Sequence, residues 1–186
     1  MTASRLDQAE FAENPEPRCP VVLLLDTSGS MGGEPIAQLN QGLQQFAQEI
    51  GADPLASLRV EVALVTFGGA VRAIDLRGGG EPIPFAADQA FVTVDSFQPP
   101  RLTTGGDTPM GEGVRRALTL LRERKEIYRQ AGLDYFRPWI FLMTDGQPTD
   151  RGWETAADLA RQEEDRKGVV VFPVGVEGAN LPTLAR

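Results

Sequence analysis

Histidine is absent from the 186-residue chain, and cysteine occurs once, as Cys19. Without an imidazole there is no Ser-His-Asp or Cys-His machinery and no histidine-based zinc site. A single thiol forms no internal disulfide and builds no thiolate cage, which points to a reducing, cytoplasmic compartment. Long apolar runs are also lacking. The longest aliphatic one, Val21 to Leu25, is far short of the roughly 20 residues that a bilayer span needs. Met1 to Arg18 carries no apolar stretch of the signal-peptide kind, so no membrane is expected among the partners. Positive charge is in deficit: 18 Lys and Arg stand against 26 Asp and Glu, a net charge of −8. An acidic chain matches a phosphate backbone poorly, so nucleic acid is not an expected partner either.

What is present is enough apolar material for one folded domain, 41% of the residues. Residues 1–19 are polar, with Pro15 and Pro17, and read as a flexible leader; residues 20–186 read as the domain. Val21-Val22-Leu23-Leu24-Leu25 has the pattern of a strand buried on both faces. Pro35 then opens a helix whose inner face is Ile36, Leu39, Leu43, Phe46 and Ile50, with Gly51 at its end. Leu58 to Phe67 reads as a strand in which Arg59 and Glu61 alternate with Val60 and Val62. Gly68-Gly69 turns it into a second strand, Val71 to Leu76, whose Arg72 and Asp75 suit a sheet edge.

Residues 77–108 resist assignment beyond a short element in 88–97. Pro109 opens the next helix, with Val114, Ala117, Leu118, Leu121 and Tyr128 inward and Gly132 after it. Its basic residues, Arg115, Arg116, Arg122, Arg124, Lys125 and Arg129, alternate with glutamates and read as a solvated face. Trp139 to Met143 and Val169 to Val176 read as two more buried strands, separated by a helix from Trp153 to Lys167. Pro173 lacks an N–H, so the last strand is expected to pair there on one side only. Trp139, Trp153, Phe46 and Phe141 read as core. Apolar strands alternating with amphipathic helices predict an α/β, doubly wound, mostly parallel sheet with one antiparallel edge strand and helices on both faces. Such folds usually carry one more strand and helix, so these are expected to be missing from the chain.

Ligands of such sheets bind beyond the carboxyl ends of the strands, where strand order reverses. Asp26, Ser28 and Ser30 follow the first strand at alternate positions, and Asp145 follows the strand ending at Thr144. Thr108 closes the loop Thr103-Thr104-Gly105-Gly106-Asp107 just ahead of a helix. Two carboxylates and three hydroxyls are hard oxygen donors. They suit Mg²⁺ held at about 2.0–2.1 Å, with Mn²⁺ or Ca²⁺ as alternatives. Asp150 reads as the N-cap of the helix that follows it.

Asp26-x-Ser28-x-Ser30, Thr108-Pro109-Met110-Gly111 and Thr144-Asp145-Gly146 resemble the three loops of the von Willebrand factor A domain, which form its metal-ion-dependent adhesion site. The resemblance runs from about Pro20 to Val176. Leu25 to Met31, Gly33-Glu34-Pro35-Ile36 and Met143 to Asp150 are further similar to bacterial tellurium-resistance-associated A-domain proteins. The resemblance implies that Ser28, Ser30 and Thr108 bind the metal directly and that Asp26 and Asp145 act through water. It also implies a partner protein that completes the coordination with an aspartate or glutamate. The implied role is scaffolding in a bacterial stress response, with phosphatase-like or kinase-like partners. Asp107 departs from the family's Gly-Gly-Thr and could itself reach the metal.

A metal-dependent protein-binding module without catalytic residues is thus the expected function. The alternatives are a Mg²⁺-dependent phosphohydrolase, with Asp107 as the best remaining base, and a structural domain with an inactive metal site. Gly106 to Gly111 has P-loop spacing, but Glu112 stands where lysine is required. Ser28 lacks the Gly-x-Ser-x-Gly elbow of a serine nucleophile.

Overall fold

In a computed structural model, which describes residues 14–176 and 179–185, a twisted sheet is sandwiched between helices. Strand β1, Cys19–Asp26, is fully buried along its length. It pairs in parallel with β2, Val60–Gly68, on one side and with β6, Trp139–Thr144, on the other. β3, Ala70–Ile74, returns antiparallel to β2 across Gly69, as the two glycines predict. Two two-residue strands complete this side: β4, Pro82–Ile83, lies outside β3, and β5, Val92–Thr93, pairs with the start of β2. β7, Val170–Gly175, pairs in parallel with β6, so the order is β4-β3-β2-β1-β6-β7. The doubly wound, mostly parallel sheet with an antiparallel edge is the architecture expected from the sequence.

Helix α1, Glu34–Ala52, covers one face of the sheet; α3, Ala87–Ala90, α4, Met110–Ala131, and α5, Trp153–Asp165, cover the other. Alternation along β1 feeds both cores. Val21, Leu23 and Leu25 meet Leu39 and Leu43 of α1, while Val22 and Leu24 meet Met110, Ala117 and Leu121 of α4. After β7 the described chain holds only the short helix α6, Leu181–Leu184. No helix among the described residues is long and apolar enough to cross a membrane.

Several elements differ from their sequence pattern. Leu58 and Arg59 end a short helix, α2, Pro54–Arg59, whose N-cap Asp53 accepts hydrogen bonds from the Leu55 and Ala56 amides. The Asp-Pro pair is a helix-start signal that outweighs the apolar run behind it. Among the described residues β7 is an outer strand paired only with β6, which leaves Pro173 without a second neighbour there, as expected, but also leaves the strand open. Phe172 is 37% and Val174 41% exposed, and Trp139 beside them is 39% exposed rather than core. Phe172 stacks on Phe141 with centroids 5.0 Å apart, and Trp139 meets both rings edge-on.

The lower end of the sheet holds an ionic cluster. Glu61 is buried rather than outward-facing, and so is Arg124, which the sequence pattern places on a solvated face. Arg124 Nη2 lies 2.6 Å from Glu61 Oε2, and the Tyr128 hydroxyl also donates to that carboxylate. Arg18 Nε stands 3.3 Å from Glu61 Oε1. Arg18 also donates its backbone N–H to the Asp134 carbonyl at 3.0 Å, so the end of the leader, residues 14–19, is part of the folded domain. Residues 1–13 of the leader lie outside the described residues. Burial alone would push the Arg124 pKa down; Glu61 reverses this and holds the guanidinium above its usual range.

Candidate metal site

β1 and β6 are neighbours, yet the chain moves outward from them in opposite directions. Their carboxyl ends therefore flank the point where strand order reverses, the site such sheets offer to a ligand. Asp26 ends β1 and Thr144 ends β6, and the Thr144 hydroxyl donates to Asp26 Oδ2 at 2.6 Å. Asp145 follows at once, its Oδ1 accepting the Gln147 amide at 3.1 Å.

The first loop turns tightly. Asp26 Oδ1 accepts the Ser28 amide at 2.9 Å, and residues Gly29–Met31 form a 3₁₀ turn that brings Ser30 Oγ to 3.1 Å from Ser28 Oγ. The middle loop is pinned to it by backbone. Gly29 donates to the Gly106 carbonyl at 2.9 Å and Gly105 to the Thr27 carbonyl at 2.8 Å. Glycine is required at two places here. Gly106 has φ +75°, and a Cβ on it would lie 2.4 Å from Gly69 Cα; a Cβ on Gly68 would lie 2.4 Å from the Thr27 carbonyl oxygen. The Gly68-Gly69 pair thus serves the site as well as the hairpin, a role its turn signal conceals.

Thr108 is joined to the third loop by reciprocal bonds. Its amide donates to Thr149 Oγ1 at 2.9 Å, and its carbonyl accepts the Thr149 amide at 3.0 Å. All five residues singled out from sequence, Asp26, Ser28, Ser30, Thr108 and Asp145, therefore sit on three mutually bonded loops. Ser30 is exposed and the other four are buried. Asp107 is exposed, and its backbone carbonyl accepts the Gly69 amide at 2.8 Å. Asp150 is not the cap of the helix that follows it. Its carboxylate caps α4 instead, accepting the Gly111 and Glu112 amides.

The donor set fits a divalent cation on two grounds. Asp26 is fully buried and Asp145 is 6% exposed, and among the described residues no Lys or Arg pairs with either. Buried carboxylates without a cationic side chain call for a bound cation or a proton. Burial pushes the Asp26 pKa up; hydrogen bonds from Ser28 and Thr144 oppose the rise, and the negative Asp145 adds to it. The second ground is vacancy of acceptors. Among the described residues the Thr108 hydroxyl and Asp145 Oδ2 have no hydrogen-bond partner, whereas both oxygens of Asp26 are engaged. Thr108, Asp145 and the paired serines have lone pairs to offer, while Asp26 contributes its charge from behind. Among the described residues no cluster of three or more His, Cys, Asp or Glu side chains offers another site.

A doubly wound sheet with an oxygen-donor site at its switch point defines a class of α/β binding domains. The chain belongs to the von Willebrand factor type A domain family, whose profile matches residues 21–186. Sequence comparison with curated proteins gives no match. Among solved structures, the chain is similar to the manganese-loaded Plasmodium vivax TRAP protein, at 20% identity and a TM-score of 0.54, over 90% of this chain and 61% of that one. It is also similar to proximal thread matrix protein 1 of the mussel byssus, at 16% identity and a TM-score of 0.56, over 92% and 41% of the two chains. The human COPII-coat protein Sec24c matches at 12% identity and a TM-score of 0.50, over 91% and 28%. The chain thus spans less than two thirds of each solved chain, and at these identities the likeness concerns the fold.

Proposed function

We propose that the protein is a metal-ion-dependent protein-binding module in which Ser28, Ser30 and Thr108 ligate Mg²⁺ while Asp26 and Asp145 balance its charge. One observation carries it: two buried carboxylates stand on bonded loops rich in hydroxyls, and among the described residues no cationic side chain pairs with either. When bound, the ion offers an open position to an Asp or Glu oxygen from a partner protein. The chain's own part is to hold its five donors on backbone-bonded loops and to keep the total charge low enough for a third carboxylate. The manganese named for the TRAP structure makes Mn²⁺ a suitable probe ion.

No catalytic group is assigned. Asp107, the base a phosphohydrolase would need, lies exposed on the rim. A scaffolding role in a bacterial tellurium-resistance or stress-response system, in the cytoplasm and with phosphatase-like or kinase-like partners, extends the proposal. Its support is the resemblance of Leu25 to Met31, Gly33 to Ile36 and Met143 to Asp150, together with the lone, buried Cys19, which forms no disulfide.

Calorimetric titration of Mg²⁺ and Mn²⁺ at millimolar concentration tests the core of the proposal. Saturable one-site binding is expected for the wild type and none for Asp26→Ala or Asp145→Ala. Equal binding by the folded variants would place the metal elsewhere and sink the assignment.

A further inference from the structure

Helix α4 begins two residues after Thr108; its Met110 amide turns back to the Thr108 carbonyl at 2.8 Å, but Pro109 at the N-cap position offers no side-chain acceptor to the Gly111 and Glu112 amides. The cap comes from the far side of the site. Asp150 Oδ1 accepts the Gly111 amide at 3.1 Å and Oδ2 the Glu112 amide at 2.9 Å, with Arg115 Nη2 3.7 Å from Oδ2. The approach depends on a bare backbone. A Cβ on Gly111 would stand 2.7 Å from Trp153 Cα and 2.8 Å from Asp150 Oδ2. Next to this cap lies the reciprocal Thr108–Thr149 pair. Four hydrogen bonds thus join the loop that carries Asp145 to the segment that carries Thr108.

We infer that Asp150, with Thr149, is a positioning residue: it clasps the first turn of α4 onto the Asp145 loop and so fixes the Thr108 hydroxyl relative to Asp145. This rests on the metal-site proposal above. Asp150 uses both carboxylate oxygens on backbone amides, so it acts through Thr108 and not as a donor. The helix is a rigid lever, and freeing its first turn lets Thr108 move away from the third loop while β1 and β6 hold Asp26 and Asp145 in place. Removing residues that orient metal ligands typically weakens affinity about 10–100-fold.

Mn²⁺ titration by calorimetry, paired with unfolding midpoints measured in chelator, tests the clasp in Asp150→Ala, Asp150→Asn and Thr149→Val. Asp150→Ala is expected to weaken Mn²⁺ binding about tenfold or more. Asp150→Asn keeps an acceptor oxygen without the charge and is expected to lose less. Thr149→Val, which removes only the hydroxyl acceptor, is expected to weaken binding as well, and it carries the test together with the asparagine variant if Asp150→Ala does not fold. Wild-type affinity in Asp150→Ala or Thr149→Val, with only the unfolding midpoint lowered, would reduce Asp150 to an ordinary helix cap and overturn the inference, leaving the metal site standing. Equal losses in the alanine and asparagine variants would assign the effect to charge and overturn it too. No Mn²⁺ binding by folded wild type would remove the metal site itself, and the clasp with it.

Discussion

Gly106 shows how closely a single residue can be bound to the site. Its carbonyl holds Gly29 of the serine loop, and its Cα faces Gly69 of the β2–β3 hairpin across a gap with no room for a methyl group. Gly106→Ala is expected to cost about 1–3 kcal/mol from the positive φ alone, before the clash with the hairpin, and to weaken Mn²⁺ binding because Ser28 and Ser30 shift with the loop. Urea unfolding and the metal titration, run on one preparation, check both. The nearness of Asp26 and Asp145 was legible in the sequence because each stands at the end of a strand-like apolar stretch, and strand ends are where such folds bind. Asp150 was not. Caps are usually supplied from within a few residues, and nothing in the string links Asp150 backwards to Gly111.

Helix α4 is held at both ends, by Asp150 at the site and by the Glu61–Arg124–Tyr128 cluster at the opposite end of the sheet. Burial first, and then the Glu61 charge, pushes the Tyr128 hydroxyl well above its ordinary value of 10. The unfolded chain therefore loses this proton before the folded one does. The associated stability is intact below about pH 10 and declines as pH rises beyond it, by up to about 1.4 kcal/mol per pH unit. Tyr128→Phe is expected to flatten that decline, which urea unfolding at stepped pH from 9 to 11 measures; parallel curves for the two proteins would refute it. The sequence hid this cluster for a plain reason. Glutamate in an alternating strand and arginine on a charged helix have the pattern of solvent-facing residues, and only the pairing in space allows them inside. The same limit applies to β7. An apolar run reads alike whether or not anything covers it, and Phe172 and Val174 are only partly covered.

For the molecule as a whole, the hydrogen bond from Thr144 to Asp26 spans 118 positions of the chain. The α/β order, the hairpin and the principal helices were readable from periodicity. The pairing of β1 with β6 was not, because it is a choice of neighbours made across the whole domain. That long-range pairing gives the candidate metal site a kinetic consequence. Its candidate residues lie at the ends of β1 and β6 and just ahead of α4, so they come together only where all three elements are in their native places. A cation that recognises only the finished arrangement stabilises it by mass action without helping the chain to reach it. Saturating Mn²⁺ is therefore expected to slow unfolding while leaving the refolding rate unchanged, a difference that stopped-flow mixing with and without chelator measures directly. On that outcome, occupancy would act as a lock on persistence: it would set how long each folded molecule survives and leave the time it takes to form unchanged.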